Sequence, residues 1–270
     1  MKVAAVQMSA VPGDVRGNLA RIAAHVRAGA EAGCRLLLFP EIADLGYDMP
    51  AIAAHGPGSW PLVEDSLREL AARHAVCLVC GVCLPDGAGR SNALVAFGPD
   101  GNILARYRKV HLFAAGDADE TGVFTPGDSI GSFELDGLRF GLSICYDLRF
   151  PELFRALALD GCHALLLASA WPRARLDIWD ALCVARAVEN QCYLLAANLV
   201  GDRGVFPFGG HSVFVAPAGR ATRADDRSEG LTCGEIAPEE IAAARRAIPA
   251  LSHRRPDLYA GVMANPASGL

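Results

Sequence analysis

Lysine is nearly missing from this chain. Of 25 basic residues only Lys2 and Lys109 are lysines, so an internal ammonium at position 109 differs in kind from the arginines around it. Basic charge is also short overall. Against 30 acidic residues it leaves a net charge of -5, which removes the electrostatic footprint of a nucleic-acid binder and points to a small-molecule partner. Every apolar stretch is interrupted by Gln, Arg, Asp or Glu before it reaches the roughly 18 to 20 residues of a membrane helix, so no membrane partner is expected. The opening residues Met1 to Ala10 carry one lysine and an apolar run broken by Gln7, a poor secretory leader. There is no G-x-x-x-x-G-K, and no G-x-G-x-x-G following a strand, so nucleotide and dinucleotide binding lack a motif. Internal repeats and low-complexity tracts are absent too. Cysteine is plentiful but odd in number, nine between Cys34 and Cys233 and mostly in apolar segments. That pattern suits free thiols in a reducing compartment rather than a disulfide framework, and a cytoplasmic location is expected.

What is present is a globular composition: 270 residues, 52% hydrophobic and 20% charged, the size of one large domain. Periodicity reads Lys2 to Met8 as a strand, 17–32 as a helix and 34–39 as a buried strand, an opening β-α-β. A helix over 64–74 and a buried run over 75–84 continue the alternation. Hairpin signals follow at Pro99-Asp100-Gly101 and at Asp136-Gly137. Then come a helix over 150–159, a strand over 162–169, a helix over 177–189 and a strand over 192–199. A strand over 211–216 and a helix over 238–247 complete the body, with an irregular tail expected after Arg255. Antiparallel hairpins inside an α/β alternation predict two sheets face to face with helices outside, a four-layer α-β-β-α sandwich. The expected domain is 1–265, with 266–270 as a terminal tail.

Three apolar strands end on reactive side chains: Leu36-Leu37-Leu38-Phe39-Pro40-Glu41, Tyr107-Arg108-Lys109-Val110-His111 and Leu142-Ser143-Ile144-Cys145-Tyr146-Asp147. Strand ends are where α/β proteins build sites. A carboxylate, an ammonium and a thiol supply a general base, an oxyanion stabiliser and a nucleophile, the parts needed for acyl transfer. Cys145 precedes the helix signal Phe150-Pro151-Glu152, and a helix N-terminus would favour its thiolate.

These segments resemble the nitrilase superfamily of carbon-nitrogen hydrolases. The likeness extends through Gly46-Tyr47, Thr125-Pro126-Gly127-Asp128, Cys145 to Glu152 and Ala185 to Gln191, and so covers essentially the whole chain. It implies the nitrilase type of sandwich, assembly into homodimers or higher homo-oligomers, a Glu41-Lys109-Cys145 triad, and neither metal nor organic cofactor. It further implies that Glu41 is the general base, that Lys109 and the Tyr146 N–H hold the oxyanion, and that Glu120 is the family's second glutamate, which positions substrate. Loss of one such donor typically costs about 2.7 to 4 kcal/mol. Cys-Tyr-Asp-Leu-Arg-Phe-Pro-Glu is similar to the branch of omega-amidases and deaminated-glutathione amidases. The implied reaction is hydrolysis of a small amide to ammonia and an acid through a cysteine thioester. Tyr47, Tyr146, Trp171 and Arg173 are the substrate-binding candidates, with Arg175 and Arg149 as alternatives for pairing a substrate carboxylate. An N-carbamoyl amide hydrolase, a nitrilase and a catalytically silent ligand-binding member of the fold are the competing readings.

Other patterns carry less. Asp117, Asp119, Thr121, Gly122 and Asp128 follow a calcium-loop spacing, but Asp128 replaces the bidentate Glu and Pro126 interrupts it. Cys77, Cys80 and Cys83 lack the fourth Cys of a cluster motif and alternate as strand residues do. Gly141-Leu142-Ser143 has Cys145 where a serine-hydrolase elbow needs glycine. His111 is expected to buttress Lys109.

Overall fold

Alternation of apolar side chains decides how the layers stack. The computed structural model describes residues 1–263, so the expected tail at 266–270 lies outside the described residues. The first half of the chain supplies β1 (Lys2–Gln7), α1 (Val15–Glu31), β2 (Leu36–Leu38), α2 (Met49–His55), α3 (Trp60–His74), β3 (Cys77–Asp86), β4 (Gly89–Phe97) and β5 (Ile103–Arg108). The second half supplies β6 (Gly131–Leu135), β7 (Leu138–Ile144), α4 (Pro151–Leu159), β8 (Ala164–Ser169), α5 (Leu176–Asn190) and β9 (Tyr193–Asn198). It continues with β10 (Val200–Gly201), β11 (Phe208–Gly209), β12 (Val213–Val215), β13 (Ala221–Arg223), β14 (Gly230–Glu235), α6 (Pro238–Ala247) and α7 (Pro256–Met263).

Two six-stranded sheets result, ordered β14-β1-β2-β3-β4-β5 and β13-β12-β9-β8-β7-β6. Along β1 to β3, Val3, Ala5, Leu36, Leu38, Cys77 and Val79 join the core shared with Phe140, Leu142 and Ala196 of the second sheet. The intervening Ala4, Val6, Leu37, Leu78 and Cys80 pack instead with Leu19, Ile22 and Val26 of α1 and Val63 and Leu67 of α3. The period of two thus puts one face against the other sheet and one against helices. On the far side Phe154 and Leu157 of α4 and Trp179 and Cys183 of α5 cover the second sheet. The molecule is a four-layer α-β-β-α sandwich. Cys77 and Cys80 fall on opposite faces of β3, as their spacing predicts.

The sheets share one pattern of directions, although the sequence shows no repeat. β1-β2-β3 and β7-β8-β9 are parallel triplets joined by crossover helices, each flanked by antiparallel strands. One expectation is corrected. The segment after Arg255 is a helix, with Pro256 at its first position, where the missing N–H costs nothing and the fixed φ suits the turn. No helix among the described residues is long and apolar enough to cross a membrane.

Gly81 is the tightest joint between the fold and the loop after β2. A Cβ there would lie 2.2 Å from the Pro40 carbonyl oxygen and 2.6 Å from the Glu41 Cα, both backbone atoms that cannot yield as a side chain would. Gly81→Ala is therefore expected to destabilise the protein by about 1 to 3 kcal/mol and to displace residues 40–42. Urea unfolding followed by circular dichroism measures the first effect.

Candidate active site

Beyond β2 the backbone keeps pace with β3. Phe39 N donates to Val79 O and Ala43 N to Gly81 O, each at 2.8 Å, which carries Glu41 to the end of the sheet with no exposed surface. Lys109 directly follows β5. Its N–H bonds Asn92 O and its carbonyl accepts from Gly127 N, both at 2.8 Å, so the aliphatic stem runs inward and the ammonium is fully buried.

Cys145 follows β7 with φ at 44°, a left-handed conformation unusual for a side chain of this kind. Asp147 holds the elbow. Its Oδ2 accepts from Ile144 N at 2.8 Å and from the Tyr107 hydroxyl at 2.7 Å, while Oδ1 lies 2.8 Å from His111 Nδ1. His111 therefore braces the cysteine elbow rather than Lys109, and its ring stacks on Phe150 at 3.7 Å. The elbow itself is a short 3-10 turn over Cys145–Arg149, with the longer helix α4 starting only at Pro151.

Behind the thiol lies a closed charge cluster. Lys109 Nζ donates to Glu41 Oε1 at 2.7 Å and to Glu120 Oε1 at 2.8 Å. Asn92 Nδ2 donates to the same two oxygens at 2.7 and 3.0 Å. Tyr47 OH adds a third donor to Glu120 Oε1 at 3.0 Å, and the Phe113 N–H holds Glu120 Oε2 at 2.7 Å. Glu41 Oε2 accepts from Ala170 N at 2.9 Å, a bond from the second sheet to the first. All four members Glu41, Lys109, Glu120 and Asn92 are fully buried.

Electrostatics follow from that geometry. Burial raises the Glu41 carboxyl above its ordinary range, with Lys109 opposing and Glu120 reinforcing the rise. Burial pulls Lys109 down, but Glu120 and Glu41 outweigh it and hold the ammonium above its usual value. The Cys145 thiol is pushed up by burial and by Glu41, with Lys109 opposing. That rise opposes the thiolate expected from a helix N-terminus, because burial and a neighbouring carboxylate act against a one-turn elbow.

Cys145 opens into a cavity of about 410 Å³ lined by Tyr47, Phe113, Tyr146, Trp171, Val205 and Phe206, with Arg149 and Arg175 also on its wall. The Arg149 guanidinium stands 5.2 Å over the Trp171 ring. Arg173 is not part of that wall. Its guanidinium reaches Asp202 Oδ1 at 3.1 Å and the Phe208 carbonyl at 3.4 Å, because the 3-10 turn over Arg173–Arg175 directs alternate side chains apart. Of the calcium-loop residues, Asp128 is taken by Arg108 at 2.7 Å and Asp119 by Thr121. Sequence reasoning gave no role to Asn92, Asp147 or the Ala170 N–H. Asn92 carried one signal, a polar residue inside the apolar strand 91–97.

The match to the Carbon-nitrogen hydrolase family model runs over residues 2–246. The chain belongs to the carbon-nitrogen hydrolase family. This carbon-nitrogen hydrolase is 36% identical over 225 residues to the 2-oxoglutaramate amidase of Bacillus subtilis, covering 83% of this chain and 86% of that protein. It is 33% identical to the omega-amidase of Homo sapiens, over 97% and 96% of the two chains. A solved amidase from Nesterenkonia sp. AN1 superposes with a TM-score of 0.87 at 29% identity, covering 97% of each chain. One structure of that amidase shows the result of Michael addition of acrylamide at its active site cysteine.

Asp147→Ala leaves the buried Tyr107 hydroxyl and the Ile144 N–H without an acceptor. An expected loss of about 2 to 4 kcal/mol of stability, with a weakened elbow, is measurable by denaturant unfolding beside the Tyr107→Phe, Asp147→Ala double variant, which should recover part of it.

Proposed function

We propose that this carbon-nitrogen hydrolase cleaves the amide of a small acid carrying a distal carboxylate, an ω-amide, releasing ammonia through a Cys145 thioester. The observation that carries the reading is the Glu41-Lys109-Glu120 cluster beside Cys145, at the foot of a cavity with Arg149 and Arg175 among its lining residues. Glu41 takes the thiol proton as sulfur attacks the carbonyl carbon. Lys109 and the Tyr146 N–H receive the negative charge that develops on oxygen. Glu41 then returns its proton to nitrogen, ammonia leaves, and Glu41 activates the water that hydrolyses the thioester. Glu120 keeps Lys109 and Tyr47 in place.

Arg149 and Arg175 support the substrate class. Among the described residues neither guanidinium has a carboxylate partner, and both arginines line the cavity that Cys145 opens into, so a substrate carboxylate entering it would find a guanidinium for a charge-assisted pair. Arg149 suits this role better than Arg173, whose charge is already met by Asp202. The relatives named as 2-oxoglutaramate amidase and omega-amidase agree with that choice. We take residues 1–265 as one domain, supported by the core common to both sheets. Nine free thiols support a cytoplasmic setting. Exposed Leu159, Val188 and Ile248 on and beside the outer helices support a homodimer or higher homo-oligomer.

Ammonia release from a panel of ω-amides, ureido acids and nitriles tests the proposal. Release from ω-amides that vanishes in Cys145→Ala is expected, and activity surviving in that variant would reject the nucleophile. Arg149→Ala should raise KM for an ω-amide by about 10- to 100-fold, corresponding to the ~1.5–3 kcal/mol of a charged hydrogen bond, and much less for an uncharged amide. Because burial raises Glu41, the base form is lost as pH falls through a value above the ordinary glutamate range. The acid limb of kcat/KM is expected there. Glu41→Gln should slow iodoacetamide labelling of Cys145 at neutral pH by about 100-fold, whereas a standing thiolate would label at an unchanged rate.

A further inference from the structure

Asn92 has no part in the chemistry just described, yet its side chain touches both carboxylates of the cluster. It lies in β4 with its carbonyl bonded to Lys109 N, so the two residues leave neighbouring strands toward one point. Both hydrogens of its amide are spent, one on Glu41 Oε1 and one on Glu120 Oε1. The orientation is dictated by its neighbours. A flipped amide would aim Oδ1 at two carboxylates, and the observed one leaves Oδ1 buried with no hydrogen-bond partner among the described residues.

The two oxygens of Glu41 are therefore unlike. Oε1 faces an ammonium and an amide N–H, groups that can only donate, so a proton carried on Oε1 would meet hydrogens already directed at it. Among the described residues Oε2 has a single partner, the Ala170 N–H, which also borders the Cys145 sulfur. The geometry points to Asn92 as a positioning residue that holds Glu41 Oε1 as a pure acceptor, so that the proton exchanged with Cys145 travels on Oε2. The inference rests on the reading of Glu41 as general base. In the step itself the S–H bond of Cys145 breaks and an O–H bond forms at Oε2. The same proton later goes to the departing nitrogen.

Charged and titratable groups face Glu41 from several elements: Lys109 from the end of β5, Glu120 and Tyr47 from loops, and Cys145 from the elbow after β7. Asp44, three residues on, turns its carboxyl to the Leu45 and Cys83 N–H groups instead. Of the donors at Oε1, Asn92 is the one without charge, so its replacement leaves the ionic balance intact and alters only the hydrogen bonding.

The test is the pH dependence of kcat and KM for the wild type, Asn92→Ala and Asn92→Ser, full-length, on the amide that the wild type turns over fastest. Removing a donor from ionised Glu41 raises its proton affinity, so the acid limb should move to higher pH. kcat at the optimum should fall about 10- to 100-fold, with KM changed by less than about threefold. Asn92→Ser, which keeps one hydroxyl donor, should fall between. A limb that stays at the wild-type position in both variants, or a loss confined to KM, would overturn the positioning role. Failure of the underlying reading looks different: activity would survive Cys145→Ala, or the acid limb would persist unchanged in Glu41→Gln.

Discussion

One ammonium buried between two buried carboxylates sets the conditions for the rest of this molecule. Taking an ion out of water costs several kcal/mol even after relaxation, and the attraction between partners offsets this only when the remaining lone pairs are also bonded. The Lys109 ammonium meets Glu41 and Glu120, and among the described residues the other bonds to their oxygens come from neutral donors: Asn92, Tyr47, Phe113 N and Ala170 N. Those donors come from β4, from two loops of the first half and from the end of β8. Both sheets must therefore sit at a fixed separation for the cluster to close. Gly81 and Gly127, where a Cβ would fall 2.2 Å from a backbone oxygen, allow the chain to approach closely enough on the Glu41 and Lys109 sides.

The architecture explains why such a cluster can form at one end of the sandwich. Parallel strands all finish on the same edge, and the loops that follow are the segments free to carry polar groups. Glu41 follows β2, Cys145 follows β7 and Ala170 follows β8, each a member of a parallel triplet. Lys109 arrives differently, at the end of an antiparallel edge strand. It reaches the same place because β5 pairs with β4 in a register that sets Lys109 opposite Asn92.

Much of this was legible in the residues themselves. The buried runs 2–8 and 75–84 and the helical spacing in 17–32 and 177–189 report burial directly, so the layers follow from local pattern, whereas the order of strands within each sheet does not. Family resemblance, not spacing, singled out Glu120. What stayed hidden depends on neighbours remote in sequence. Asp147 serves the elbow only because Tyr107 and His111 come to it from β5 and its end. Arg173 and Arg149 are equivalent on paper, and only Asp202 and Trp171 separate them. The helix after Arg255 was masked by Gly, Pro and Ser, residues that read as a tail although Pro256 opens a helix well.

Raised proton affinities on both Glu41 and Cys145 look at first like an obstacle to catalysis, since neither a strong acid nor a standing thiolate is available. The charge of the site resolves this. In the proposed reaction, moving the thiol proton to Glu41 leaves the total charge of the buried cluster unchanged, and attack on a carbonyl then shifts negative charge onto oxygen next to Lys109. A resting thiolate would instead place a further negative charge on a largely buried sulfur, which is what burial penalises. The proposed reaction thus relocates charge within the site rather than creating it. Because Asn92 binds the carboxylates without adding charge of its own, it can hold Glu41 in register without disturbing that balance.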